Sequence, residues 1–432
     1  MNRVDIEGLI AKLVDMYWTE SNNDKFIPGV TRVPVTKKYY TSSEIMAVIS
    51  SALDGNFTSG RYVEMFEQRL RTYVGTRYAM VTNSGSSANL LAVLAASEET
   101  LDRCFHPEVI TMAVGFPTTI APIYQAGMIP NFVDIVLPTY GPNMEQLEEA
   151  IGPNTVGIIL AHTLGNPFNV ELVTNLAKQH DLFFIEDVCD ALGAKYNGKM
   201  VGTFGDASTF SFYPAHHITT GEGGAVLTNS ADIKLAVESY RDWGRDCWCE
   251  TGHDATCGKR YSQQFGDLPY GYDHKYVYTR LGYNLKMTEM QAAIGAVQMI
   301  KLPWFVEQRQ RNFARLHDYI MMMHEDFFII PKAIEDSEPS WFGFPLTIRG
   351  GAPFTRSSLI DYLDRARIDS RLLFAGNMVR QPAMINMEYE AEDLTVSDKV
   401  MNDTFWLGVH PSLTTEMIDY MIETIGCFIK EL

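Results

Sequence analysis

The chain has 432 residues, 46% of them hydrophobic and 20% charged, with a net charge of −18. This is ordinary globular composition, and the length suffices for one large domain and a smaller one, each with its own core. So acidic a surface repels nucleic acid and anionic membranes, so neither is expected as a partner. It does not exclude an anionic substrate, because a nest of backbone N–H groups can hold a phosphate on an acidic protein.

The start, Met1 to Leu13, carries Asp5 and Glu7 and lacks a basic stretch followed by an apolar run. No secretory leader is expected, and the expected location is cytoplasmic. The most apolar stretch, Met112 to Val133, is broken by Gly115, Pro117, Gly127, Pro130 and Asn131. Breakers at that density predict buried strand and helix pieces, not a membrane span.

Between Tyr78 and Val226 apolar runs alternate with helical patterns. Strands are expected at Tyr78–Thr82, Val109–Val114, Pro130–Asp134, Val156–His162, Leu182–Asp187, Ser208–Phe212 and Gly224–Thr228. Helices are expected at Ser87–Ala96 and Val170–His180. The alternation predicts an α/β fold with a mainly parallel sheet covered on both faces. Asn229 to Tyr278 is polar and rich in Gly, Asp and aromatics, and reads as a long functional loop. Thr288 is placed as the N-cap of a helix reaching Ile300. The expected division is a large domain over 1–302 and a small C-terminal α/β domain over 303–432.

Three segments can carry chemistry. Thr82-Asn83-Ser84-Gly85-Ser86-Ser87-Ala88 follows a strand and opens a helix, so its N–H groups and the helix dipole suit a phosphate. Taken alone, an ordinary capped helix fits it equally well. Asp187, in Phe183-Phe184-Ile185-Glu186-Asp187, ends a strand where ligands of open parallel sheets bind. It can pair with a protonated ring nitrogen or merely cap a loop. Ser211-Phe212-Tyr213-Pro214-Ala215-His216-His217 leads into Ile218-Thr219-Thr220-Gly221-Glu222-Gly223-Gly224. A histidine there can act as a base near neutral pH, or sit on the surface or bind a metal.

In this order the segments resemble the sugar aminotransferase and dehydratase family, pyridoxal phosphate enzymes of the aspartate-aminotransferase fold. The resemblance runs from about Pro34 through the C-terminal domain. It is strongest between Asn83 and Gly224, and again at Leu281-Gly282-Tyr283-Asn284 and Gln291-Ala292-Ala293. It implies that Gly85, Ser86 and Ser211 bind the cofactor phosphate and that Asn284 reaches it from the second subunit of a homodimer. Phe116, in Gly115-Phe116-Pro117-Thr118-Thr119, would stack on the pyridine ring, and Asp187 would pair with its nitrogen. Tyr213 is a further catalytic candidate.

Two departures matter. His216 stands where the family's lysine anchors the cofactor covalently, and an imidazole forms no imine. Pyridoxamine phosphate would then be held without a covalent bond, with His216 free to move protons at C4′. Asp190 stands where most relatives carry Gln or His, and could orient His216 or the cofactor amine. Within the family this histidine marks 3-dehydratases of nucleotide-linked 4-keto-6-deoxy sugars.

Of six cysteines, Cys104 and Cys427 have no assigned role. The spacing of Cys189, Cys247, Cys249 and Cys257 resembles the [2Fe–2S] ligand pattern of the subgroup acting on CDP-4-keto-6-deoxyglucose. Four thiolates suit such a cluster, though structural zinc or unligated buried thiols stay open as readings of the residues. The resemblance implies a CDP-linked sugar substrate in 3,6-dideoxyhexose synthesis and a partner reductase, an NADH-dependent iron–sulfur flavoprotein. The rival within the family is a GDP-4-keto-6-deoxymannose 3-dehydratase without a cluster, with a nucleotide-sugar aminotransferase behind it.

Overall fold

A computed structural model describes residues 2–21, 25–100, 104–249 and 254–432. The strands that build the site are β1 (Tyr78–Thr82), β2 (Glu108–Met112), β3 (Ile129–Val133), β4 (Thr155–Ala161), β5 (Phe183–Asp187), β6 (Ala207–Ser211) and β7 (Gly224–Thr228). The helices that matter here are α1 (Gly85–Ser97), α2 (Pro117–Gln125), α3 (Val170–Gln179), α4 (Ala231–Arg241) and α5 (Glu289–His324). Each expected strand is present, shifted by no more than two residues at either end. The long loop expected over Asn229–Tyr278 is in part the helix α4, capped by Ser230, whose side chain accepts the Ile233 N–H. Residues 250–253 of that segment lie outside the described ones.

Among the described residues, these strands and Glu390–Ala391 form one sheet in the order β1-β7-β6-β5-β4-β2-β3-(390–391). Only β7 runs antiparallel to its neighbours β1 and β6. All other pairs are parallel. This is the expected α/β architecture. The strands are apolar on both faces because helices cover both: Ile110, Ile158 and Phe184 belong to one core, Val109, Ile159 and Ile185 to another.

The topology decides where chemistry can sit. Since β1, β6 and β5 all run the same way, their carboxyl ends Thr82, Ser211 and Asp187 share one edge. Thr82, Gly224 and Ser211 form one row across it. Backbones touch there: a Cβ on Gly85 would lie 2.5 Å from Ser211 Cβ, and one on Gly224 would lie 2.4 Å from Ser84 O. Glycine is required at both positions by contact distance.

Along β5 side chains alternate, so Glu186 and Asp187 face opposite ways. Glu186 is fully buried and accepts the N–H groups of Gly202, Phe204 and Gly205 at 2.7–2.8 Å. Its Oε2 also lies 3.2 Å from His162 Nε2. Glu186 is therefore a structural carboxylate that folds the loop before β6. Glu186→Ala strands three buried donors, each worth about 1–3 kcal/mol, so a loss of about 3 kcal/mol or more is expected in urea unfolding.

Thr288 caps α5 as expected, in a reciprocal capping box with Gln291. The helix does not stop near Ile300: it continues through Pro303 to His324. The division placed at 302/303 thus falls inside a helix. Its first half packs on the large core through Ala292, Ala296, Leu302 and Phe305, and its second half on a smaller core through Phe313, Leu316 and Ile320. Packing on both sides outweighs the one backbone hydrogen bond that proline removes. The smaller core also holds an antiparallel four-stranded sheet, with Phe344, Leu346, Phe405 and Leu407 facing it.

Candidate functional site

The shared strand edge gathers most of the expected residues. Gly85 and Ser86 open α1, whose first-turn N–H groups have no carbonyl four residues back to accept them. Ser84 Oγ caps only the Ser87 N–H, at 3.1 Å. Ser211 ends β6 in contact with Gly85. Three small residues and a helix N-terminus therefore converge as an anion cradle.

Asp187 is 5% exposed. Its Oδ2 accepts Asn89 Nδ2 at 2.9 Å and Thr119 Oγ1 at 2.7 Å, and its Oδ1 accepts the Cys189 N–H at 3.1 Å. All three partners are neutral. Asn89 is itself held by the Thr209 hydroxyl. A buried carboxylate with neutral partners is completed by a cation, which a protonated pyridine nitrogen supplies. The helix that carries Thr119 begins at Phe116, its N-cap residue. Phe116 is 52% exposed and meets Phe374 edge-on at 6.0 Å, which leaves a ring face free to stack. One short helix thus presents both a platform and the clamp on Asp187.

His216 lies on the turn that starts at Tyr213, its N–H donating to the Tyr213 carbonyl at 2.9 Å. Its Nδ1 is 3.4 Å from Asp190 Oδ1, without hydrogen-bond alignment, and has no hydrogen-bond partner among the described residues. The two side chains are 16% and 14% exposed. Burial pushes the Asp190 carboxyl up, and His216 and the Leu164 N–H pull it part of the way back. Tyr213 is half exposed beside them. His217 does not share this role. It is buried with Nε2 2.8 Å from Ser340 O, and burial drives its pKa well below the usual imidazole range. Arg309, buried in α5, donates to the carbonyls of Trp341, Phe342 and His216 and so holds the turn from behind.

No lysine occurs between Ser211 and Gly224. This edge therefore gathers a helix N-terminus, a buried carboxylate, an exposed aromatic ring and an imidazole. The family model that matches, over residues 39–426, is the DegT/DnrJ/EryC1/StrS aminotransferase family. The chain belongs to that family. Its relatives include the lipopolysaccharide biosynthesis protein RfbH of Salmonella typhimurium, 49% identical, with 98% of each chain covered. The dTDP-4-dehydro-2,6-dideoxy-D-glucose 3-dehydratase of Saccharopolyspora spinosa is 44% identical, over 99% of this chain and 93% of the relative. Among solved structures, Escherichia coli GDP-4-keto-6-deoxy-D-mannose-3-dehydratase with bound hydrated PLP superposes with a TM-score of 0.81. It is 29% identical and covers 90% of this chain and 98% of its own.

Asn284, expected to act on the second subunit's cradle, and the loop cysteines lie apart from the cradle of their own chain. Asn284 is exposed and lines an open groove of about 1400 Å³ together with Arg241, Cys247, Cys249 and Lys286. Only its neighbour Leu285 touches the phosphate loop, accepting the Asn83 N–H at 2.9 Å. The cysteines split as well. Cys189 stays beside Asp187, Asp190 and Thr209, where burial raises its thiol well above the ordinary value and the two carboxylates add to the rise. Cys247 and Cys249 line that groove, and Cys189 does not. Among the described residues of one chain Cys189 does not join Cys247 and Cys257. His274 does: one ligand atom from each of Cys247, Cys257 and His274 lies within 4.8 Å of the others.

Sequence reasoning missed Asn89, Thr119, Thr209, Arg309 and His274. A polar residue inside the Ala- and Leu-rich face of α1 was the visible signal for Asn89. Nothing in spacing marked His274, which comes to the cysteines only through the fold.

No helix among the described residues is long and apolar enough to cross a membrane.

Proposed function

We propose that the chain is a pyridoxamine-phosphate-dependent 3-dehydrase that removes the C3 hydroxyl of a nucleotide-linked 4-keto-6-deoxy sugar. The substrate is CDP-4-keto-6-deoxyglucose, on the way to 3,6-dideoxyhexoses of cell-surface polysaccharide. The observation that carries this reading is His216, with Asp190 3.4 Å from its Nδ1, beside the buried Asp187.

When bound, pyridoxamine phosphate supplies an amine that condenses with the C4 ketone and a ring that accepts electrons. The cradle of Gly85, Ser86 and Ser211 holds its phosphate, Phe116 stacks on its ring, and Asp187 keeps its nitrogen protonated. With no lysine at 216, these contacts replace the covalent anchor. His216 takes a proton from C4′ and can return it as an acid to the departing C3 hydroxyl. Asp190 steadies the imidazole once it is charged, which favours proton transfer. Tyr213, on the same turn, is placed to help the leaving hydroxyl.

A [2Fe–2S] cluster on the loop cysteines would supply electrons one at a time, delivered by an NADH-dependent iron–sulfur flavoprotein reductase. Clustered thiols suit iron–sulfur and zinc alike. Support for the cluster is the gathering of Cys247, Cys249 and Cys257. Support for the sugar class is the pair of relatives at 49% and 44% identity, named for lipopolysaccharide biosynthesis and for a nucleotide-sugar 3-dehydratase. A homodimer would carry Asn284 of each chain to the other's cradle.

The test is turnover of anaerobically purified protein with CDP-, dTDP- and GDP-linked 4-keto-6-deoxy sugars, each with reductase and NADH or with glutamate alone. Deoxygenated product from the CDP sugar, requiring reductase, is expected. Product from the GDP sugar with glutamate alone would transfer the chain to the cluster-free dehydratases, and an aminated sugar would make it an aminotransferase.

A further inference from the structure

We propose that Phe374, on the segment that follows strand Ser370–Leu372 of the smaller core, is a positioning residue for the Phe116 platform. This inference rests on the proposed function for the role of Phe116, and on the contacts of residues 373–398 for everything else.

The strand Ser370–Leu372 lies at an edge of the four-stranded antiparallel sheet, paired with Thr404–Gly408. Directly after it the chain crosses to the large sheet. The Ala375 N–H donates to the Gly115 carbonyl at 3.3 Å and the Met378 N–H to the Ala113 carbonyl at 2.9 Å. Between them Asn377 forms an antiparallel bridge with Val114. These are the three residues just before Phe116. The rings meet where the backbones do. Phe374 stands edge-on to Phe116 at 6.0 Å, an arrangement that aromatic pairs favour. It also lies 6.5 Å from Phe342, whose ring is 5.3 Å from His216. One phenylalanine thus joins the platform to the ring beside the imidazole.

The backbone of Phe374 is held in a costly shape. Its φ of 49° is left-handed, which glycine adopts freely and a phenylalanine adopts only where its surroundings enforce it. Those surroundings are rigid. Asn377 is fully buried, its Nδ2 donating to Asp398 Oδ1 at 2.8 Å and its Oδ1 accepting the Val379 N–H at 3.1 Å. Arg380 pairs with both oxygens of Asp398, at 3.0 and 2.8 Å. Asp398 belongs to the helix Thr395–Asp403, and Asp134 grips the first turn of that helix. Asp134 is 3% exposed, directly follows β3, and accepts the Val396 and Ser397 N–H groups at 2.7 Å each. The ends of two neighbouring parallel strands, β2 and β3, therefore hold the segment from both sides. Simple filling of the space between two cores is the plain alternative for Phe374. Filling alone would be served by another apolar side chain, and the turn alone by a glycine.

The experiment uses the full chain as wild type, Phe374→Leu, Phe374→Gly, Phe374→Tyr, Phe116→Leu and the double variant Phe116→Leu/Phe374→Leu. Pyridoxamine phosphate affinity is measured by equilibrium dialysis. The circular dichroism band of the bound cofactor reads how firmly its ring is oriented, and urea midpoints read stability. Phe374→Leu and Phe374→Gly are expected to bind roughly 2- to 10-fold more weakly, the range of one edge-on aromatic pair, with a reduced cofactor band. Phe374→Tyr keeps the ring and should restore both. The double variant should bind no more weakly than Phe116→Leu alone, because Phe374 acts through Phe116.

Wild-type affinity in both Phe374→Leu and Phe374→Gly, whatever their urea midpoints, would overturn the inference and leave Phe374 as packing. Additive losses in the double variant, or no rescue by Phe374→Tyr, would overturn it as well. Each of these outcomes leaves Phe116 as the platform. Wild-type affinity in Phe116→Leu would instead remove the platform from the proposed function, and this inference with it.

Discussion

His216→Asn is expected to stop exchange of the cofactor's C4′ protons with solvent and to lower turnover roughly 10²- to 10⁴-fold, the usual worth of a positioned general base. Asparagine keeps the size and some of the polarity of the imidazole but cannot take a proton near neutral pH. Cofactor binding should change little, because the proposed contacts through the cradle, Phe116 and Asp187 do not involve residue 216. NMR of the bound cofactor in D2O with substrate present, beside equilibrium dialysis of pyridoxamine phosphate, reads both quantities. Surviving exchange would assign the base to Asp190. His217 is the weaker candidate, since its Nε2 is engaged by Ser340 O and its ring is buried.

The second large effect is expected at Asp187. In Asp187→Asn the amide oxygen can still accept Asn89 and Thr119, but the amide NH2 then faces the Cys189 N–H, so the apo protein should lose about 1–3 kcal/mol in urea unfolding. What is also lost is the negative charge proposed to face the ring nitrogen. Removing one member of a buried, hydrogen-bonded charge pair costs about 2–5 kcal/mol, so cofactor affinity should fall by at least roughly 30-fold. Asp187→Ala should add a stability loss of about 1–3 kcal/mol, because the buried Asn89 amide and Thr119 hydroxyl lose their acceptor. Cofactor affinity lost in both variants, with Asn more stable than Ala in urea, would assign the carboxylate to the cofactor. Unchanged affinity in both variants would remove Asp187 from the site.

The large sheet was legible because it is covered on both faces. Continuous runs such as Val156–Ala161 and Phe183–Ile185 have few other structural uses, and the observed strands follow them closely. The edge holding Gly85, Asp187, Ser211 and His216 was legible too, since each follows directly on a readable strand. The boundary near Pro303 misled, because a proline predicts a break locally while two cores hold the helix together across it.

The cysteines show the opposite limit. Spacing grouped four thiols, but among the described residues of one chain only Cys247 and Cys257 of them, with His274, form a group that could hold a metal ion. Likewise His274 shares no motif with Cys257, seventeen positions earlier, and meets it only because Asp246, Phe265 and Arg260 fold the loop around the ring. Clamping residues such as Asn89 and Thr119 escape for the same reason: their partner, Asp187, is remote in sequence and close only through sheet order.

The central claim is that this site holds its cofactor with no covalent anchor. The most direct measurement is the intact mass of the chain after loading with pyridoxal phosphate, reduction with borohydride and denaturation. The mass of the unmodified polypeptide is expected, since His216 offers no amine to be trapped. A chain heavier by one reduced pyridoxyl phosphate would contradict it and place a lysine at the cofactor after all.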